Sequence, residues 1–249
     1  MNFVLHQCES AQVSHVVISS PERSPNTDGI HISASSKISL QDCKIGTGDD
    51  CISIVNGCSN IKMKRIHCGP GHGISIGGLG KNNSTNTVTK VLLDSAYIVN
   101  ATNGLRIKTW QGGNGYVHTV RFENVRMENV SNPIFIDQFY CDSPLACKNQ
   151  TGAVKISQIM YRNITGTSNS EKAIKFACSD TVPCSSIVLM DINLEKVDSN
   201  VETYCNSAQG FGFGVVHPSA DCLSSTFQHL DAISMASSEA DESMLHTEL

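Results

Sequence analysis

The sequence predicts an all-β fold, a right-handed parallel β-helix in which a single chain winds a stack of coils. Three observations predict it. First, a segment of the form Asp28-Gly-Ile-His-Ile-Ser33 returns at 50–55, 72–77, 103–108, 132–137 and 172–177, each time apolar at its third and fifth positions. Alternation of that kind is a strand with one face buried. Second, the first three copies start 22 residues apart, at Asp28, Asp50 and His72, and a short fixed period is the mark of a solenoid. Third, the stretches between copies are rich in Gly, Asn, Asp and Ser, which supply turn conformations, and none carries a capped helical pattern.

The later copies follow after 31, 29 and 40 residues, so insertions enter those coils. A second strand set lies between the copies, at 38–40, 61–63, 88–92, 120–122, 154–156 and 187–189. A leucine-rich repeat has a similar period, but its LxxLxLxxN signature is absent, and propeller blades are longer. Stacked strands are expected from residue 13 to about 200, with Ile30, Ile52, Ile74, Leu105, Ile134 and Ile174 in one buried column. The Gly77-Gly-Leu-Gly80 run reads as a turn; no helix with a Lys follows it, so it is no phosphate loop.

Composition narrows the function. Charged residues are 16 % of the 249-residue chain, against roughly 25 % in ordinary domains, and 31 Ser and 19 Asn supply the polar surface instead. A net charge of −5 and pI near 6.0 exclude a general nucleic-acid binder, which is basic. No apolar run reaches the ~18 to 20 residues of a membrane span. Eleven cysteines without a CxxC pair, and six N-x-S/T sequons at Asn82, Asn83, Asn100, Asn129, Asn149 and Asn163, fit an oxidising compartment. The first residues lack the basic and apolar regions of a signal peptide.

Equivalent residues on successive coils stack about 4.8 Å apart. Asp28, Asp50 and His72 therefore share a column, with Asp49 one residue earlier. Arg106 and Lys108 project from the next coil, opposite inward Leu105 and Ile107. One Asp in a turn is ordinary. Three beside a His repel one another, and folding alone gives no reason to gather them. Paired carboxylates suit glycoside hydrolysis: crowding is expected to raise one pKa, making an acid, while another stays ionised as base. A spacing of one or two coils suits an inverting pair with water between. The two cations argue for an anionic substrate, and the scarcity of aromatics (6 %) argues against stacking of neutral sugars.

These residues sit in recognisable text. Asn26-Thr27-Asp28, Gly48-Asp49-Asp50, Gly71-His72-Gly73 and Arg106-Ile107-Lys108 occur in this order. With them the chain resembles plant polygalacturonases, pectin-cleaving enzymes of glycoside hydrolase family 28, from about residue 3 to 223. The resemblance implies a pectin-lyase-like β-helix hydrolysing the α-1,4 bonds of homogalacturonan with inversion. It implies a monomer secreted to the plant cell wall, with no metal or other cofactor and no nucleic-acid or membrane partner. It assigns Asp49 as general acid, Asp28 and Asp50 to the attacking water, and His72 to support of the acid. Arg106 and Lys108 would hold galacturonate carboxylates, with Tyr140 and Asn26 as further substrate contacts. It also implies disulfides Cys51/Cys68, Cys141/Cys147, Cys178/Cys184 and Cys205/Cys222. Cys43 and Cys58 remain as buried thiols and Cys8 without a partner.

The Asn-Thr-Asp motif comes after only 25 residues. Relatives of this kind carry several coils before it, so the chain is expected to be N-terminally truncated, with an open first coil and weak or absent activity. Residues 1–223 form the expected β-helix domain, and 224–249, polar and patternless, the expected disordered tail. Alternatives are a catalytically inactive β-helix, a calcium-dependent pectate lyase-like enzyme and a rhamnogalacturonan-cleaving one. His6, His15, His31, His67, His118 and His217 are expected to be structural or exposed.

Overall fold

Alternating apolar residues can leave water only if each coil covers the next, and the computed structural model, which describes residues 1–223, stacks them that way. Eight coils follow in order. The first holds β1 (Phe3–His6), β2 (Gln12–Ser14) and β3 (Val17–Ser19), and the second β4 (Ile30–Ser33), β5 (Ser36–Gln41) and β6 (Lys44–Gly46). Then come β7 (Ile52–Ile54) with β8 (Cys58–Cys68), β9 (Ile74–Leu79) with β10 (Thr85–Val99), and β11 (Asn103–Thr109) with β12 (Asn114–Val130). The last three pair β13 (Asn132–Asp137) with β14 (Lys155–Ser168), β15 (Lys172–Ala177) with β16 (Cys184–Glu195), and β17 (Glu202–Asn206) with β18 (Ala208–His217).

The first strands of all coils form one eight-stranded sheet, β1-β4-β7-β9-β11-β13-β15-β17, called here the groove sheet; the others form a second sheet. Every named strand pair is parallel. Ile30, Ile52, Ile74, Leu105, Ile134 and Ile174 stand in register, each at most 1 % exposed. The predicted column is therefore present. Ile32, Ile54, Ile76, Ile107, Ile136 and Phe176 make a second column beside it. Among the described residues the only helical element is the 3-10 turn Lys81–Asn83. No helix among the described residues is long and apolar enough to cross a membrane.

The second sheet differs from its sequence reading. From β8 onwards its strands are long and bent, 10 to 17 residues, whereas β2, β3, β5 and β6 are short as expected; the bends fall where residues with positive φ recur at fixed places in the coil. Lys37, Asn60, Lys90, Thr119, Gln158 and Ser186 mark one corner, and Asp42, Arg65, Ser95, Asn124, Asn163 and Asp191 another, with φ between 51° and 68°. Neighbouring coils compensate part of the strain through side-chain bonds at the second corner. Asn163 donates to Asn124 (2.8 Å), Asn124 to Asp94 (2.7 Å) and Arg65 to Asp42 (2.6 and 2.8 Å).

In the sixth coil the residues equivalent to 38–40 are Ile159 and Tyr161, not 154–156, because the insertion 138–154 delays the strand. Gly77 and Gly78 lie within β9, and the turn begins only at Gly80, with φ 82°. The four implied disulfides are formed, and Cys8, Cys43 and Cys58 are free, the last two buried. The tail expected at 224–249 lies outside the described residues.

Candidate active site

The strand periodicity delivers the site. Asp28 ends the link into β4, Asp49 and Asp50 the link from β6 to β7, and His72 the link from β8 to β9; Arg106 and Lys108 are on β11. Thr27 ties the first two links: its hydroxyl donates to the Ser24 carbonyl (2.7 Å) and accepts the Gly48 N–H (3.0 Å). The Thr47 hydroxyl donates to the Asp49 carbonyl (2.7 Å). The glycines either side of His72 are required by close approach. A Cβ on Gly71 would lie 2.8 Å from the Asp49 carbonyl oxygen, and one on Gly73, where φ is 82°, would overlap the Asn103 carbonyl. Only glycine tolerates both demands.

Two hydrogen-bond systems result. Asp49 Oδ1 accepts the Asp50 N–H (2.8 Å) and faces His72 Nδ1 at 3.2 Å. Asp50, whose side chain is 2 % exposed, is clasped by Arg106 (2.7 Å) on Oδ1 and by Lys108 (2.8 Å) on Oδ2. Ser75 donates to Asp50 (2.8 Å) and accepts from Arg106 Nε (3.0 Å). One coil earlier the pattern repeats: Ser53 donates to Asp28 (2.7 Å) and, its proton so used, accepts from His31 Nδ1 (2.7 Å).

His31 is thus not merely structural or exposed as expected. It stands in the outward column His31, Ser53, Ser75, Arg106, 3.8 Å from the Asp28 carboxylate. Sequence reasoning missed His31, Ser53 and Ser75. The signal was present, since each serine follows its aspartate by 25 residues and lies in the column already assigned to Arg106.

The acid–base expectation needs correction. Crowding does not raise the Asp49 carboxyl in the free protein; the His72 hydrogen bond, against the effect of burial and with help from Lys108, lowers it to about 2. For Asp28 burial pulls upward, but His31 and Ser53 outweigh it and the carboxyl is also lowered. Each carboxylate has a cationic or donor partner, which counting carboxylates alone overlooks.

Arg106 and Lys108 keep donors to spare. Arg106 uses Nε and one Nη2 proton of its five N–H groups, and Lys108 one of three. Tyr140 joins them: Lys108 Nζ is 5.2 Å from its ring centroid, and Trp110, unremarked in the sequence, meets the same ring edge-on at 5.5 Å. Asn26 is brought less close; it is exposed, with φ 56°, and makes no hydrogen bond to the cluster. Oxygen and nitrogen atoms of Asp49, Asp50 and His72 lie within 4.8 Å of one another, a spacing open to a metal ion. Both Asp50 oxygens, however, already accept from the two cations and Ser75, which disfavours Asp50 as a ligand.

The Cys51–Cys68 bridge ties the residue after Asp50 to the end of β8, across a separation of 17. Replacing both cysteines by Ala should cost about 3 kcal/mol of stability, read as a lower urea midpoint. A change below about 1 kcal/mol would remove the bridge from the list of features that hold this site.

The chain is thus a parallel β-helix with carboxylates, an imidazole and two cations gathered at one place along its groove sheet. Residues 1–216 match the family described as glycosyl hydrolases family 28, and the chain belongs to that family. A probable polygalacturonase of Arabidopsis thaliana is 48 % identical over 233 residues, 93 % of this chain and 52 % of its own length. A polygalacturonase of Persea americana is 50 % identical over 194 residues, 78 % of this chain and 42 % of its own. The solved structure of a polygalacturonase from Erwinia carotovora superposes with TM-score 0.65 at 27 % identity, covering 82 % of this chain and 54 % of that one. The chain spans about half the length of the curated relatives it matches.

Proposed function

We propose that the chain carries the catalytic centre of a polygalacturonase, hydrolysing α-1,4-galacturonosidic bonds of pectin with inversion, outside the cell in the plant wall. The gathering of Asp28, Asp49, Asp50 and His72, on the links into successive strands, with Arg106 and Lys108 of β11 carries this reading. Four disulfides and six sequons support an oxidising compartment.

In this reading a galacturonate carboxylate takes the spare donors of Arg106 and Lys108. Its negative charge beside Asp49, together with exclusion of water, raises the Asp49 carboxyl from about 2 towards the range where it holds a proton. Asp49 then protonates the leaving oxygen while ionised Asp28 and Asp50 orient and deprotonate water on the opposite side. His72, bonded to Asp49, holds it in place and returns its proton between turnovers. No step needs a metal, so activity should persist in excess chelator; a calcium requirement with unsaturated products would favour a lyase instead.

The test is the release of reducing ends from polygalacturonate and from its methyl ester. Arg106→Ala should lower kcat/KM on the charged polymer at least about tenfold and affect the ester far less, since esterification removes the charge that the guanidinium pairs with. Equal losses on both would refute the role of Arg106.

A further inference from the structure

The outward face of the groove sheet continues past the catalytic cluster. The Arg106 column runs on through Phe135 on β13, Lys175 on β15 and Tyr204 on β17. Here the cations are arranged differently. Lys108 and Arg106 are tied to a carboxylate, whereas Lys175 Nζ lies over the Phe135 ring at 4.7 Å and Lys172 Nζ over the Tyr204 ring at 5.1 Å. Neither lysine forms a salt bridge among the described residues, so both ammonium groups keep their full donor capacity. They line an open cavity of about 560 Å³ together with Asp137, Asp180 and Tyr204. Asp180 is already engaged by Asn206 (3.1 Å) and Ser207 (2.5 Å). Asp137 caps the Phe139 N–H (3.0 Å).

Aromatic faces with unpaired cations set on them are suited to a sugar that carries a carboxylate: the ring packs on the aromatic surface while the acid pairs with the ammonium. Lys175 is two coils, roughly 10 Å, from Arg106. A coil step and a pyranose unit are of similar length, so a chain laid along the groove brings a unit two sugars beyond the Arg106 contact over Lys175. We propose that Lys172 and Lys175, with Phe135 and Tyr204, form a distal uronate subsite that favours long, unesterified galacturonan. The proposal rests on the galacturonan reading above and extends it to a length preference. Asp137 lies between the two contacts; burial pushes its carboxyl up, against the pull of the Phe139 N–H, Lys175 and Arg106.

The experiment compares turnover of galacturonate trimer and hexamer by the 249-residue chain and by its Lys172→Ala/Lys175→Ala form. Cleavage fixes the register: a trimer cut at Asp49 leaves at most two units on the Arg106 side and falls short of Lys175, while a hexamer reaches it. Lys172 is exposed and Lys175 half-buried, and neither forms a salt bridge among the described residues, so the fold does not depend on them. For the hexamer kcat/KM should fall about tenfold, through KM, and for the trimer by less than about twofold, the loss of charge-assisted bonds at one distant unit. Lys175→Arg should retain most of the hexamer rate. An unchanged hexamer rate, or equal losses for both lengths, would overturn the subsite alone. Where neither oligomer is turned over, hexamer affinity replaces turnover: a hexamer Kd unchanged by Lys172→Ala/Lys175→Ala would overturn the subsite, and failure of the unaltered chain to bind the hexamer would overturn the galacturonan reading and the subsite with it.

Discussion

Asp49→Asn should lower hydrolysis of polygalacturonate by ~10²- to 10⁴-fold, the usual contribution of a positioned general acid, while leaving the fold in place. Asn can still accept the Asp50 N–H (2.8 Å) but has neither a transferable proton nor the charge that faces His72. The ratio of variant to parent carries the result, so the absolute rate of the 249-residue chain does not enter. The pH dependence supplies an independent check. A general acid works only while protonated, so the rate falls as pH rises through its pKa. In the free protein that pKa is about 2, and the bound uronate raises it. The basic limb of kcat, which reports the bound state, should therefore lie at higher pH than that of kcat/KM. Coincident limbs would mean that substrate does not retune Asp49. A wild-type rate in Asp49→Asn would exclude it as the acid.

The second large effect is expected at Asp50. Its carboxylate is the shared counterion of Arg106 and Lys108, whose side chains are 12 % and 9 % exposed. Asp50→Ala leaves two nearly buried cations facing each other without compensation. Breaking a buried ionic group in this way costs about 3–5 kcal/mol. The urea midpoint should drop accordingly, with activity lost as well. Asp49, with a single imidazole partner and a more exposed side chain, should show no comparable loss of stability when changed to Asn. If the two variants were equally stable, Asp50 would not be the electrostatic keystone of the cluster.

Much of this architecture is legible in the sequence because the solenoid translates period directly into space. The 22-residue spacing of Asp28, Asp50 and His72 becomes a column since the apolar residues two positions later, Ile30, Ile52 and Ile74, must stack. The long bent strands are only partly legible: Asp42, Asn124, Asn163 and Asp191 mark the second corner, but the first falls mostly on Lys37, Lys90, Thr119 and Gln158, residue types with no turn preference. Contacts between coils decide those conformations. Trp110 is hidden for another reason: it follows the end of β11, where the repeat no longer fixes position, and Tyr140, in the insertion after β13, enters only through the family resemblance. The electrostatics are not legible from the carboxylates alone, because each finds donors on neighbouring coils. His31 and Ser53 on Asp28 lie in columns the period already defined, and reading the outward positions as closely as the inward ones would have exposed them.

The most direct test of the central claim is the anomeric form of the first product, followed by proton NMR as a galacturonate oligomer of α-linked units is cleaved. Carboxylates that activate water on one face while Asp49 protonates the leaving oxygen on the other predict a saturated product that appears first as the β-anomer and then mutarotates. A product appearing first as the α-anomer, or carrying an unsaturated ring, would contradict the assignment of Asp49, Asp28 and Asp50.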